Sequence, residues 1–193
     1  MPRPSPRDIS HGLYGAWRLA MLDRDAMRYF DATEDGFWKS FHVALYVAPA
    51  FTITIYVSLH ATPPPAEVGL LEILAVEATR YVMSWAAFPL LMATVADMLK
   101  RGERYVGFVV AFNWAQLVEM AVVLPVFLLV VASGLPPNQP NVVYAVLFFA
   151  VCFYYWFIAR TALQISGWAA GAIVILNMLL SGVIESAADA VLG

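Results

Sequence analysis

The chain has 193 residues, of which 62% are hydrophobic and 13% are charged, and its formal net charge is -3 at pH 7. Soluble domains contain about 45–50% apolar and about 25% charged residues, so this composition excludes an ordinary soluble domain and predicts an integral membrane protein. The small negative charge argues against nucleic-acid binding. A single cysteine, Cys152, excludes an intramolecular disulfide.

The N-terminal segment, residues 1–38, is predicted to be cytoplasmic and to contain one amphipathic helix from about residue 10 to residue 30. Trp17 lies on the apolar face of that helix, which follows the i, i+4, i+7, i+8 pattern of Leu13, Trp17, Ala20 and Met21. Arg24 and Arg28 fall on or beside this face, where long basic side chains reach lipid headgroups. The pattern predicts a helix that lies in the plane of the membrane interface. The alternative is a small cytosolic helix packed on the loops.

The rest of the chain, residues 39–193, is predicted to form an all-α membrane domain, a polytopic helical bundle with five transmembrane helices. Each apolar run is long enough to cross a bilayer and is bounded by turn residues or by aromatic and basic residues. The predicted spans cover approximately residues 41–60, 67–99, 105–132, 141–160 and 168–187. The count falls to four if the last and less hydrophobic segment lies at the interface.

Lysine and arginine alternate from one side of the predicted spans to the other. Six precede the first span, a cluster at 100–104 follows the second span, and Arg160 follows the fourth, whereas the loops 61–66 and 133–141 contain none. Because basic residues favour the cytoplasmic side, this pattern predicts a cytoplasmic N-terminus and a periplasmic C-terminus. The expected location is the inner membrane of a bacterium.

Ionisable and amide side chains occur inside the second and third predicted spans. Glu77 and Arg80 are three residues apart, and Asn113, Gln116 and Glu119 repeat every three residues. Because hydrocarbon cannot solvate such groups, they are expected to face protein or water. Arg80 and Glu119 come at similar heights in consecutive antiparallel helices, so the sequence predicts that they meet, with Glu77 as a competing partner of Arg80.

Three interpretations of this intramembrane polar cluster compete. It is an interhelical clamp that fixes register, or a polar cavity for an ion, a proton or a small solute, or in part a set of surface residues at the outer interface. Asn177 in the fifth span is expected at the depth of Asn113 and is predicted to hydrogen-bond to it if their helices are adjacent. Gly167 and Gly171 form one GxxxG pair, which permits close helix packing or dimerisation.

Signals of catalysis and of metal binding are missing from the sequence. His42 and His60 lie near opposite ends of the first span, and no HExxH, CxxC or glycine-rich phosphate loop occurs. The aromatic run at 153–157 is expected to be an interfacial belt rather than a quinone or haem site. The sequence therefore predicts a protein that is not an enzyme and that holds no cofactor and no metal.

Two stretches resemble the Yip (Ypt-interacting protein) superfamily, which includes small bacterial inner-membrane relatives. They are FDATEDGFWKSF, which leads into the first span with Pro49 behind it, and YYWFIARTAL at the end of the fourth span. Members of that superfamily carry a cytoplasmic N-terminal segment followed by five closely spaced spans. The resemblance implies roles in membrane organisation, trafficking or partner binding, and it supplies no catalytic residues.

The leading hypothesis from the sequence is a non-enzymatic membrane adaptor, assembly or membrane-organisation protein. It would act through helix packing and through its N-terminal helix, with the lipid bilayer and either a protein partner or a second copy as its partners. The alternative hypothesis is a small transporter or channel component with an intramembrane polar site between the second and third spans.

Overall fold

The computed structural model describes residues 2–63, 68–135 and 141–192. Within these ranges the chain forms α-helices, two short 3₁₀ turns and no strand. The helices are α1 (Pro6–Ala20), α2 (Glu34–Ser40), α3 (Val43–Ala61), α4 (Leu70–Met98), α5 (Tyr105–Ala132), α6 (Val142–Leu163) and α7 (Gly167–Leu192).

Five helical segments of the described ranges are long and apolar enough to cross a membrane. They are Glu34–Ala61, Leu70–Met98, Gly102–Ala132, Val142–Leu163 and Gly167–Val191. This result confirms the predicted all-α membrane bundle with five spans and a preceding amphipathic helix. The predicted turns at 61–67 and 133–141, and the predicted start of the second span at residue 67, lie partly outside the described residues.

The N-terminal helix begins at a capping box. The Ser5 hydroxyl accepts a hydrogen bond from the Asp8 amide (3.2 Å), and the Asp8 carboxylate accepts one from the Ser5 amide (2.8 Å). This arrangement satisfies two amides that the first turn of a helix leaves unpaired. The bond from the Ser5 amide also holds the pKa of Asp8 below its ordinary value, because it favours the charged carboxylate.

The prediction of one continuous helix over residues 10–30 was wrong. α1 ends at Ala20, Leu22 adopts a left-handed backbone with φ of 61°, and a 3₁₀ turn covers Arg24–Tyr29. The Asp23 carboxylate accepts a hydrogen bond from the Asp25 amide (2.9 Å), which starts the second element. α1 itself is ended by the left-handed Leu22, beyond which the Asp23 amide donates back to the Arg18 carbonyl (3.0 Å), and this termination interrupts the helix that hydrophobic periodicity alone would continue.

One end of the bundle carries Lys100, Arg101 and Arg104 in the connection between α4 and α5, and Arg160 near the end of α6. We call it the basic end.

Both α1 and α2 pack against α5, and α1 also touches α6. α1 approaches closely because the residues that it buries are mostly small: Gly12, Gly15, Ala16 and Leu19.

Helix α5 is the centre of this packing. Its residues 108–115 are all buried by the surrounding helices. Tyr154 of α6 donates a hydrogen bond from its hydroxyl to the carbonyl of Ala16 in α1 (2.8 Å). The N-terminal helix is therefore a packed part of the bundle rather than a separate arm.

The five long helices form a ring in the order α3, α5, α6, α7, α4, in which each helix packs against the next. The Tyr81 hydroxyl closes the ring by donating to the Ala44 carbonyl of α3 (2.5 Å), and the rings of Tyr81 and Phe51 lie 4.6 Å apart between centroids. α4 meets α5 near their short connection, where Tyr105 donates to the Pro89 carbonyl (3.0 Å). Away from that connection, α4 packs mainly against α7.

Candidate functional site

A cavity of about 270 Å³ lies inside the ring, and all five long helices contribute to its lining. Its polar side chains include one carboxylate, two amides and four hydroxyl groups: Glu119, Gln116, Asn177, Ser84, Ser181, Tyr81 and Tyr155. Polar groups are costly in the hydrocarbon region of a membrane unless they face protein or a water-filled space. Their convergence on one cavity therefore marks the candidate site.

Aromatic rings form much of the remaining lining. Phe51, Tyr81, Trp85, Phe112 and Tyr155 all reach the cavity. The centroids of Phe112 and Tyr155 lie 4.8 Å apart, and those of Tyr81 and Trp85 lie 6.2 Å apart, so the rings form two contacting groups in the wall. An aromatic wall presents negative ring faces that attract cations.

Glu119 is the only carboxylate among the residues that line this cavity. Its carboxylate accepts a short hydrogen bond from the Tyr155 hydroxyl of α6. In the part of the chain that the structure describes, no lysine, arginine or histidine forms an ion pair with Glu119. A neutral phenol orients this carboxyl group but brings no positive charge to it.

Two further cavities continue from this one toward the end of the bundle opposite the basic end. The first, of about 200 Å³, shares Phe51, Tyr81, Ser84 and Ser181 with the central cavity and adds Arg80 to the lining. The second, of about 370 Å³, also contains Arg80 and follows α4 and α7 as far as residues 75 and 191. The central cavity therefore adjoins an open route between α4 and α7.

Arg80 stands along this route and is held by acidic groups. Its guanidinium bonds to Glu77 Oε2 through Nε (2.9 Å) and Nη2 (2.5 Å), and Nη1 lies 3.8 Å from Glu185 Oε1. The predicted contact between Arg80 and Glu119 was wrong, whereas Glu77, the competing partner, is the residue that binds Arg80. α7 is the helix beside α4 at this level, so Glu119 of α5 faces the central cavity instead.

The other predicted polar residues separate into two groups. Asn113 is fully buried and donates from Nδ2 to the Ser40 hydroxyl of α2 (2.9 Å). A bond between Asn113 and Asn177 was expected only if α5 and α7 were adjacent, and α6 lies between these helices in the ring. Gln116, Glu119 and Asn177 share the central cavity. A spacing of three residues falls short of a full helical turn by about 60° at each step, so Asn113 and Glu119 point in different directions.

Polar residues on α7 were underestimated from the sequence. Asn177, Ser181 and Glu185 recur every four residues, which places them on one face of the helix. Asn177 and Ser181 line the central cavity, and Ser181 and Glu185 line the adjoining one. This periodicity was the signal that could have identified α7 as a wall of the site.

The predicted interfacial residues lie on the outside of the molecule. Trp17 is 54% exposed, and Arg24 and Arg28 are exposed on the 3₁₀ turn rather than on α1. In the GxxxG pair, a Cβ atom at Gly171 would meet nothing within 4 Å, whereas Gly167 lies against Trp156. Gly171 therefore makes no close helix contact among the described residues.

Comparisons with protein-family models, with curated proteins and with solved structures find no match. The relationship to the Yip superfamily stays a prediction. The geometry of the cavity is then the observation from which a function can be inferred.

Proposed function

We propose that this chain binds a small cationic solute in the cavity inside its helical ring, as a small transporter or channel component of the membrane. The observation that carries the proposal is Glu119, a carboxylate that faces an intramembrane cavity and whose partner is a neutral hydroxyl. Intramembrane acidic groups of this kind commonly mark pathways for ions, protons and solutes. No enzymatic activity is proposed.

The charges along the route favour a cation. Glu77 and Glu185 flank Arg80, and Glu119 lies beyond them in the central cavity. With all four groups ionised, three negative charges and one positive charge leave a formal charge of -2. A positive solute would lower the electrostatic cost of these carboxylates, whereas an anion would raise it.

Polar access to the site is proposed to be from one side. Glu119 also touches a cavity of about 310 Å³ between α5 and α6, but the rest of that lining is almost entirely apolar, as at Val122 and Leu147. At the basic end, the cavity is followed by fully buried side chains such as Phe108 and Met92, whereas the adjoining cavities lead toward the opposite end. If the basic end is cytoplasmic, as basic residues favour, the solute enters from the periplasmic side of a bacterial inner membrane. The N-terminus would then be cytoplasmic.

Glu119→Gln tests this function in reconstituted liposomes. The substitution keeps the size of the side chain and the ability to accept from Tyr155, but it removes the charge, so cation uptake or cation binding is expected to fall at least about tenfold. Glu72→Gln is the matched control, because Glu72 is an exposed acid on α4 that lines none of the three cavities. Cation binding of equal strength in both variants would refute the proposal.

A second candidate function is the membrane adaptor, favoured by the outer face of α1. Leu13 and Trp17 of this helix and Met21 directly after it are exposed, although the other face of the helix is packed against the bundle. Such a row fits a lipid interface or a protein partner.

A photo-crosslinker at position 17, compared with one at the polar position 10, tests the adaptor in native membranes. The adaptor predicts a protein adduct at position 17 that is absent at position 10. If position 17 forms adducts with lipid only, α1 is an interfacial anchor and the adaptor proposal is refuted.

A further inference from the structure

Resting on the proposed function, we infer that the cation is a substituted ammonium ion, carried either by a free solute or by a lipid headgroup. The inference comes from the combination of one carboxylate with a wall of aromatic rings. Ring faces attract large organic cations, and a nearby carboxylate supplies the compensating charge.

The lining does not suit a bare divalent metal ion. Calcium and magnesium require about six oxygen ligands, often from several carboxylates. The central cavity offers one carboxylate, and that group already accepts a bond from Tyr155. In residues 2–63, 68–135 and 141–192, no group of three or more histidine, cysteine, aspartate or glutamate side chains could hold a metal.

The same wall already shows a cation on an aromatic ring. The guanidinium carbon of Arg80 lies 5.7 Å from the centroid of Phe51. Glu77 holds that guanidinium on the side of the adjoining cavity, so Arg80 does not line the central one. Trp85, Phe112 and Tyr155 line the central cavity beside Glu119, where no side chain of the lining is cationic.

The size and the remaining polar groups limit the ligand further. A cavity of about 270 Å³ is slightly smaller than the usual range for small-molecule sites, which favours a compact cation over a drug-sized one. The amides of Gln116 and Asn177 and the hydroxyls of Ser84 and Ser181 can hydrogen-bond to a polar arm of the ligand. A choline-like cation has both features.

Binding of choline and of its neutral isostere 3,3-dimethylbutan-1-ol to the unmodified protein tests the inference. The two molecules have the same shape and differ in the charge. Calorimetry in nanodiscs of phosphatidylglycerol, after subtraction of the titration into nanodiscs without protein, should give choline at least about tenfold tighter binding. Two variants test the aromatic wall. Trp85→Phe retains an aromatic ring and should keep most of the affinity for choline, whereas Trp85→Leu removes the ring and should lose most of it. Equal binding of the two molecules would overturn the inference.

Two further measurements separate the possible results. If sodium or potassium binds and Glu119→Gln abolishes that binding, while choline does not bind, the ammonium inference fails and the proposed function stands. If none of these cations binds, both fail. Repeating the titration in phosphatidylcholine nanodiscs, with the unmodified protein and with Glu119→Gln, identifies the source of the ammonium group. Attraction of choline to the lipid surface is the same for both proteins and cancels in their difference. If that difference disappears in phosphatidylcholine, the site is assigned to a lipid headgroup, and if it persists, to a free solute.

Discussion

Replacing Glu77 by alanine is expected to lower the free energy of unfolding by roughly 3 kcal/mol, because it leaves a charge without its main partner inside the membrane. Glu77 makes both short hydrogen bonds to Arg80, and the two side chains are only 17% and 27% exposed. Glu185 lies farther from Arg80, at 3.8 Å, and is 65% exposed, so it is a weak substitute. The uncompensated guanidinium would have to reach water or draw water into the bundle.

A double-mutant cycle checks this expectation. Arg80→Ala should cost a similar amount, whereas the double variant should cost clearly less than the sum, since neither charge then remains unpaired. Unfolding in mixed micelles measures the four free energies, with the exposed Glu72→Ala as the control on the same helix. Additive costs for the two substitutions would show that lipid or water, rather than Glu77, solvates Arg80.

The sequence predicted the membrane bundle because its signal is strong and local. A bilayer demands long apolar helices, so the runs between the basic and proline-rich connections could be read directly as spans. The break after α1 was missed for an equally local reason. Hydrophobic periodicity continues past it, while the break depends on the left-handed backbone of Leu22, which a leucine rarely adopts and which no residue type signals here.

The candidate site was predicted only in part because it depends on the order of the helices around the ring. Gln116 and Glu119 were recognised as groups that must avoid lipid, and both line the cavity. The partner of Glu119 was not recognised, since Tyr155 lies on α6, 36 residues away. Consecutive helices were assumed to be neighbours along their whole length, but a short connection fixes only one end of a helix pair, and α7 packs beside α4.

Gly12→Ala is expected to destabilise the docking of α1, although alanine is a better helix former than glycine. A Cβ atom on Gly12 would overlap the indole of Trp114, which is itself only 4% exposed and has little room to move. Overpacking of this kind costs about 1–3 kcal/mol, more than the gain in helix propensity of about 1 kcal/mol. The net result should be a lower melting temperature and faster hydrogen exchange in residues 6–20.

Gly171→Ala is the matched control, because it makes the same chemical change in the interior of α7, where a Cβ atom would meet nothing within 4 Å. Here the gain in helix propensity is unopposed, so this substitution should raise the melting temperature slightly. The change in melting temperature should therefore be negative for Gly12→Ala and positive for Gly171→Ala. If Gly12→Ala also stabilised the protein, α1 could not lie against Trp114, and the bond from Tyr154 to Ala16 would not hold the N-terminal helix to α6.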